Sequence, residues 1–263
     1  KQTESDLVEP LSAIWIQPQG SFWATEARQA LRFEIILCEI DKLSGAEGFS
    51  LADIGCGYGA LVDHLLKRPA TFVTSYIGYD ISDQLIAACK RRFEQRWASF
   101  ICSPTPRQEQ DFSVMSGPFN LAATRDVVLW QNYVFDALQA CWSHTRVAMI
   151  FNLQVAPSAR ISPQSHIYYA NSDQVLEHCV ARFGPTKRLV HPDLPRDATF
   201  VVLKPLDPKS TTSVWALGGV DVGERPAFFY AALRRYLPAG WFLFLGLAWA
   251  CQVCTLSGCV RVE

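Results

Sequence analysis

Residues 50–66 read SLADIGCGYGALVDHLL, a short apolar run, then glycines at 55, 57 and 59, then a helical pattern. A strand that ends on bare backbone and turns at once into a helix belongs to few architectures. The pattern continues on both sides. Residues 23–43 read as a helix, with Ala27, Ala30, Leu31, Ile35, Leu37, Ile40 and Leu43 at helical spacing before a Gly45–Gly48 stop. FVTSYIGYD (72–80) is a second strand, followed by the helix DQLIAACKRRFEQRW (83–97); ASFICS (98–103) and DFSVMS (111–116) are the third and fourth. A helix over 130–143 leads to a fifth strand, RVAMIFNL (146–153). The next helix, NSDQVLEHCVARF (171–183), has Asn171 or Ser172 as N-cap and stops at Gly184-Pro185. KRLVH (187–191) and ATFVVLK (198–204) close the pattern as two strands joined by a turn. Alternating strands and helices imply a parallel sheet covered on both faces. The expected fold is α/β: a Rossmann-like, doubly wound, mostly parallel seven-stranded sheet with an antiparallel last strand.

Bulk composition removes several function classes. With 49% hydrophobic and 19% charged residues among 263, the chain is globular rather than disordered. A net charge of -1 offers no broad basic field for phosphates, so no nucleic-acid partner is expected. Nine cysteines, an odd number scattered through helices and strands, fit reduced thiols in a cytoplasmic setting. No basic start followed by an apolar run marks residues 1–20 as a secretory signal. The sequence divides into a domain over residues 1–206 and an apolar C-terminal extension over 207–263.

Chemistry concentrates at Asp53-Ile54-Gly55-Cys56-Gly57-Tyr58-Gly59. Glycines there let a ligand lie against bare backbone, and the helix beginning near Ala60 turns its first N–H groups towards it. Asp80 ends the next strand, 27 residues after Asp53, where a carboxylate accepts both hydrogens of a ribose. A nucleoside cofactor is the reading on which strand, loop, helix and second acid agree. The plainer reading makes the glycines a tight connection and Asp53 a cap on the turn. Gly55, Gly57 and Ala60 also satisfy the dinucleotide pattern of NAD(P)-binding folds. Asp53 would repel a pyrophosphate and attract the ammonium and sulfonium charges of S-adenosylmethionine, so electrostatics favours the cationic cofactor.

These residues resemble a known family. ADIGCGYGALVDHLL with GYD downstream resembles the first motif and the strand-2 acid of class I S-adenosylmethionine-dependent methyltransferases. RQALRFEIILCEID, DFSVMSGPFN and HIYYANSDQVLEHCVARFG resemble a subgroup of small bacterial methyltransferase-domain proteins, and the likeness spans about residues 14–204. The resemblance implies that Asp53 orients the methionine ammonium, partly through water. Gly55, Cys56, Gly57 and Gly59 would line methionine and ribose, Asp80 would hold the ribose hydroxyls, and Ile81 would pack on the adenine. Arg32 would pair with the methionine carboxylate or stand as a surface arginine. Ser116 to Asn120 would face the acceptor; an Asp-Pro-Pro-Tyr tetrad is absent there, which weakens an amino-group methylation reading. Candidate catalytic residues are His166, Tyr168 and Asn120, the last for orientation only, with Tyr169 beside them. A lid or core role is the plainer reading of each tyrosine. His64, His144, His178 and His191 read as structural. Phe22-Trp23 reads as a staple for the first helix, or as part of a lid.

The expected activity is methyl transfer by in-line displacement to a small-molecule acceptor. The alternatives are an NAD(P)-dependent oxidoreductase, for which no Tyr-x-x-x-Lys pair is present, and a cofactor-binding module without turnover. The extension carries no charge from Tyr236 to Val260, between Arg234-Arg235 and Arg261. A bilayer is crossed by ~20 apolar residues. Membrane contact through 236–260 competes with packing on the domain or a partner, and with a tail outside the functional fold. Cys251, Cys254 and Cys259 fall one ligand short of a zinc site, so no metal is assigned.

Overall fold

The computed structural model describes residues 26–45, 47–68, 72–205 and 261–262. Helix α1 (Glu26–Leu43) precedes β1 (Phe49–Ile54), α2 (Ala60–Leu66), β2 (Val73–Asp80) and α3 (Asp83–Arg92). After them come β3 (Ala98–Cys102), β4 (Gln110–Ser116), a 3-10 turn (Pro118–Asn120), α4 (Val127–Ser143) and β5 (Thr145–Gln154). The chain continues through β6 (Arg160–Ile161), β7 (Tyr168–Tyr169), α5 (Ser172–Arg182), β8 (Thr186–Val190), β9 (Asp197–Leu203) and β10 (Arg261–Val262). The sheet order is β10-β8-β9-β5-β4-β1-β2-β3, with β6 and β7 forming a separate hairpin. Strands β1 to β5 pair in parallel and β9 lies antiparallel between β5 and β8. The expected seven strands are therefore joined by a two-residue edge strand, β10, from the end of the chain.

Side-chain alternation sorts the core onto the two faces of the sheet. Leu51, Tyr76, Phe112, Val114, Ile150 and Val201 face Ile36, Leu37 and Ile40 of α1, Leu61 and Val62 of α2, and Ile86 of α3. Ala52, Ile54, Tyr79, Met115, Met149 and Phe200 face Val134, Leu138 and Cys141 of α4 and Val175 and Cys179 of α5. Because both faces are covered, the central strands are buried on both sides; all six residues of β1 are buried.

Side chains cap three helices. Ser82 Oγ accepts from Leu85 N at 3.3 Å, Asp126 Oδ1 from Val128 N and Leu129 N, and Asn171 Oδ1 from Asp173 N and Gln174 N. Asp126 thereby starts α4 three residues before the position expected from the apolar pattern. α3 stops at Arg92, five residues short of expectation, because Phe93 turns out of the helix to stack on Phe100 with ring centroids 5.6 Å apart. The β6–β7 hairpin was not anticipated; two-residue strands leave no periodic signal.

The chain runs outward from β1 through β2 to β3, then returns to place β4 and β5 on the other side of β1. That reversal opens a crevice at the carboxyl ends of β1 and β4, the place where open α/β sheets bind ligands. Among the described residues no helix is long and apolar enough to cross a membrane. Residues 236–260, the three cysteines among them, and Phe22-Trp23 lie outside the described residues.

Candidate functional site

The loop after β1 is pulled back against β2: Gly55 N and Cys56 N both donate to Tyr79 O, at 2.7 and 3.0 Å. The turn places Gly55, Gly57 and Gly59 at φ 74, 56 and 86°, all left-handed. A Cβ at Gly55 would come within 2.5 Å of Pro118 Cβ, so that glycine lets the segment after β4 approach the loop. Gly57 differs. A Cβ there would meet nothing within 4 Å, so its backbone is bare and open.

The peptide groups of Gly57 are held from both sides. Its N–H donates to Asp80 Oδ2 at 3.0 Å, and its carbonyl accepts from the Cys89 thiol at 3.3 Å and the Cys56 thiol at 3.8 Å. Tyr58 anchors the loop outward: its hydroxyl donates to Gln29 Oε1 of α1, and its carbonyl accepts from Arg92 of α3. Cys56 turns its side chain inward, buried near Gly78, and its thiol is pushed well up by the Cys89 hydrogen bond and by burial. With its N–H on Tyr79 and its thiol on Gly57, Cys56 has only its remaining backbone surface to offer a ligand.

Two carboxylates stand at this edge. Asp80 accepts Gly57 N on Oδ2 and Ser82 N on Oδ1, so each oxygen keeps a lone pair for a further donor. Burial raises its pKa, against the lowering effect of backbone N–H groups of Ser82, Gly57 and Ile81. Asp53 is 4% exposed, and its Oδ2 accepts from Tyr76 Oη at 2.7 Å. Burial pushes Asp53 up to about 7; the Tyr76 hydrogen bond opposes this and the charge of Asp80 adds to it. Two acids that raise each other's cost of ionisation form a site short of positive charge. Ile81, next to Asp80, is 60% exposed beside this edge.

Arg32 is not on the surface. It is buried, and its Nε and Nη2 hold Asp197 Oδ2 at 3.1 and 2.6 Å, tying α1 to the start of β9. Of the two expected roles the surface reading is thus overturned, and the carboxylate that the structure gives Arg32 is the protein's own.

The segment after β4 forms the other wall. Asn120 Oδ1 accepts from Gln154 N at 2.9 Å, and Trp130 Nε1 donates to Phe119 O at 3.0 Å, fixing the 3-10 turn over β5 and α4. The β6–β7 hairpin docks there, with Leu121 bridging Ile167 and Ala122 N donating to His166 O at 2.8 Å. His166 is half-buried with φ 55°, a left-handed conformation uncommon outside glycine. Tyr168 turns inward. It is 1% exposed within the core on the α4 face, and burial pushes its hydroxyl up to about 12, so it is a core aromatic and not a base. Tyr169 lies under the Arg160 guanidinium, 4.3 Å from its ring centroid. The other histidines have structural partners: His64 pairs with Glu34, His144 with Ala140 O, and His178 stacks on Phe135, while His191 stands 3.8 Å from Asp193. Among the described residues no group of three or more His, Cys, Asp or Glu could hold a metal ion.

Sequence reasoning missed Tyr76. The signal was present, since Tyr76, Gly78 and Asp80 alternate onto one face of β2, and Gly78 is the register partner of Asp53. Asp197 was missed because nothing local distinguishes an aspartate in a turn from one that pairs with an arginine 165 positions earlier.

Comparison with known proteins gives the family and the fold. The family model described as a methyltransferase domain matches residues 52–147. A Mycobacterium tuberculosis protein named as a methyltransferase, Rv1506c, is 33% identical over 150 residues, spanning 57% of this chain and 89% of that protein. The ubiquinone biosynthesis O-methyltransferase of Actinobacillus pleuropneumoniae is 30% identical over 98 residues, 37% of this chain and 39% of that enzyme. Among solved structures, the magnesium protoporphyrin IX methyltransferase of Synechocystis has a TM-score of 0.54 at 11% identity, covering 78% of this chain and 92% of that one. A methyltransferase of Leishmania major has a TM-score of 0.56 at 14% identity, covering 75% and 83%. At these identities the structural likeness speaks for the fold.

Proposed function

The chain belongs to the class I S-adenosylmethionine-dependent methyltransferases, and from that premise we propose that it transfers a methyl group to a small-molecule acceptor at the crevice between β1 and β4. One observation carries the reading: half-buried Asp80 holds the Gly57 N–H, and buried Asp53 stands one strand over at the same edge, where the Gly57 backbone lies open. The residues suit the cofactor. Gly57 leaves room where any side chain would intrude, Asp80 keeps accepting capacity on both oxygens for the two ribose hydroxyls, and Asp53 is a carboxylate whose ionisation a neighbouring cation would favour. A pyrophosphate would add negative charge to the same place, which argues against the oxidoreductase alternative.

Bound there, the cofactor supplies an electrophilic methyl group on a sulfonium. The protein's part is placement. Asp80 holds the ribose end, Gly55, Gly57 and Gly59 present backbone to the chain between ribose and methionine, and Asp53 attracts the cationic end. Exposed Ile81 offers an apolar surface to the adenine. Arg32 keeps Asp197 and roofs the edge, with the methionine carboxylate as a second anion for the same guanidinium. The segment Ser116–Asn120 and the His166 hairpin form the opposite wall, where an acceptor would stand in line with the methyl group. In-line displacement forms a bond from acceptor to methyl carbon as the carbon–sulfur bond breaks, and the electron pair goes to sulfur. Alignment of this kind supplies a large part of the barrier lowering, ~7 kcal/mol or more. His166, on the docked hairpin, is the candidate base at that wall.

Calorimetry with S-adenosylhomocysteine tests the cofactor reading, and transfer of a labelled methyl group into a pool of small metabolites tests turnover. Binding of NAD(P) in place of S-adenosylhomocysteine would defeat the proposal.

A further inference from the structure

Oδ1 of Asn152, on β5, is buried and has no hydrogen-bond partner among the described residues. The residue is 1% exposed, and its Nδ2 reaches Ser116 Oγ at 3.4 Å. Rotating the amide does not remove the deficit: the Ser116 hydroxyl can meet either end, and the other stays unpartnered. Register places Ser116, Asn152 and Thr199 side by side on β4, β5 and β9. Alternation turns all three to the α1 face, which also carries Asp53 and Asp80. Ser116 and Thr199 are 9% and 4% exposed.

A buried polar row therefore crosses the carboxyl edge and changes character along its length. It is acidic on β1 and β2, and made of hydroxyls and an amide on β4, β5 and β9, where the Asp197–Arg32 ion pair closes its end on the same face. One step towards the amino edge, the same strands carry Val114, Ile150 and Val201, so the polar row is confined to the crevice. Gln95 and Gln110 also have unpartnered Oε1 atoms, but they stand at the amino edge, away from the crevice.

We propose that Ser116, Asn152 and Thr199 are the acceptor-recognition subsite, and that the Asn152 amide oxygen accepts a hydrogen bond from a hydroxyl or amino group of the methyl acceptor. This rests on the methyltransferase reading and specifies its substrate class: an O–H or N–H nucleophile held by neutral groups. The cofactor-side carboxylates lie on β1 and β2, and β5 stands beyond β4 on the far side of β1, behind the Ser116–Asn120 wall. None of the three side chains titrates near neutrality, so the row orients the nucleophile's hydrogen without removing it. Inside a dry row, an acceptor lacking that hydrogen leaves the amide unpartnered and is rejected.

The test uses the full chain and Asn152→Leu, a swap that keeps the branched skeleton and removes the amide, with the smaller Asn152→Ser as a second variant should the first not fold. Measured are thermal stability, S-adenosylhomocysteine affinity by calorimetry, and labelled methyl transfer into a small-metabolite extract, with the methylated atom identified by mass spectrometry. The expected result is an unchanged or higher melting temperature and a cofactor affinity within about twofold. Transfer falls by about tenfold or more, onto oxygen or nitrogen. Wild-type transfer rates in both variants, a methyl group on carbon or sulfur, or a loss of S-adenosylhomocysteine affinity beyond about tenfold would overturn the proposal. Wild-type protein that fails to bind S-adenosylhomocysteine would instead defeat the cofactor reading, before any variant is compared.

Discussion

The two halves of the crevice are built by different means. On the β1–β2 side the working parts are carboxylates and backbone: Asp53, Asp80 and the glycine turn, each held by bonds between residues 53 and 89. On the β4–β5–β9 side the parts are neutral side chains, supplied by segments as far apart as Ser116 and Thr199, and a hairpin docked on a loop. The first half is local and charged; the second is assembled by tertiary contact. A half that must suit one invariant ligand can be written in a short motif. A half that must suit a particular acceptor is free to draw on any loop of the edge.

The contrast predicts unequal sensitivity. Asp80→Ala removes the ribose acceptor and frees the Gly57 N–H, so S-adenosylhomocysteine affinity measured by calorimetry should fall by about a hundredfold or more. Gly57→Ala should follow. Its left-handed φ costs about 1 kcal/mol of stability in a denaturant melt, while a methyl group in the open space over the loop weakens binding by about tenfold or more. The disproportion between the two readings is the check.

Titration of Asp53 sharpens the charged half. Its folded pKa, about 7, lies above its ordinary value of 3.8, so between these values the folded state holds a proton that the unfolded chain has released. The stability of the ligand-free protein is therefore lost as pH rises towards 7, and Asp53→Asn should recover on the order of 2 kcal/mol at pH 8 with little change at pH 4. Affinity for a cationic cofactor runs the other way. It should strengthen towards tenfold per unit from pH 5 to 7, level above that, and become flat in Asp53→Asn. Tyr76→Phe removes the hydrogen bond that lowers the pKa of Asp53, so the midpoint of the profile should move up by about half a unit to one unit. The smallest effect belongs to the neutral half. Tyr168→Phe should leave turnover within about twofold, since the ring is core and its hydroxyl, held near 12, takes no proton. A larger loss would return Tyr168 to the reaction and break the comparison.

Legibility followed the same division. Asp53, the glycines and Asp80 were readable because a strand-turn-helix confines them, and the strand alternation that exposes Asp80 also points to Tyr76. The order of the five parallel strands and the closing β8–β9 pair followed from periodicity. Asn152 was not readable, because an asparagine inside RVAMIFNLQ looks like any strand residue until β4 and β9 are set beside it. The tyrosines after β5 drew attention to the hairpin that docks on the segment after β4, while the choice between core and crevice was made by packing: Tyr168 went inward and Tyr169 went under Arg160. Arg32 drew notice as a possible ligand group; its partner came from the far end of the domain.

That partnership has a consequence for how the molecule is made. Arg32 lies on the first described helix and Asp197 opens β9, the strand inserted between β5 and β8. A nascent chain that has emerged only as far as β5 holds Arg32 without its Asp197 and a bare strand edge beside β5. The arrival of β9 neutralises the one and covers the other in a single event. A helix synthesised early thus waits for a strand synthesised late before the sheet beyond β5 is complete.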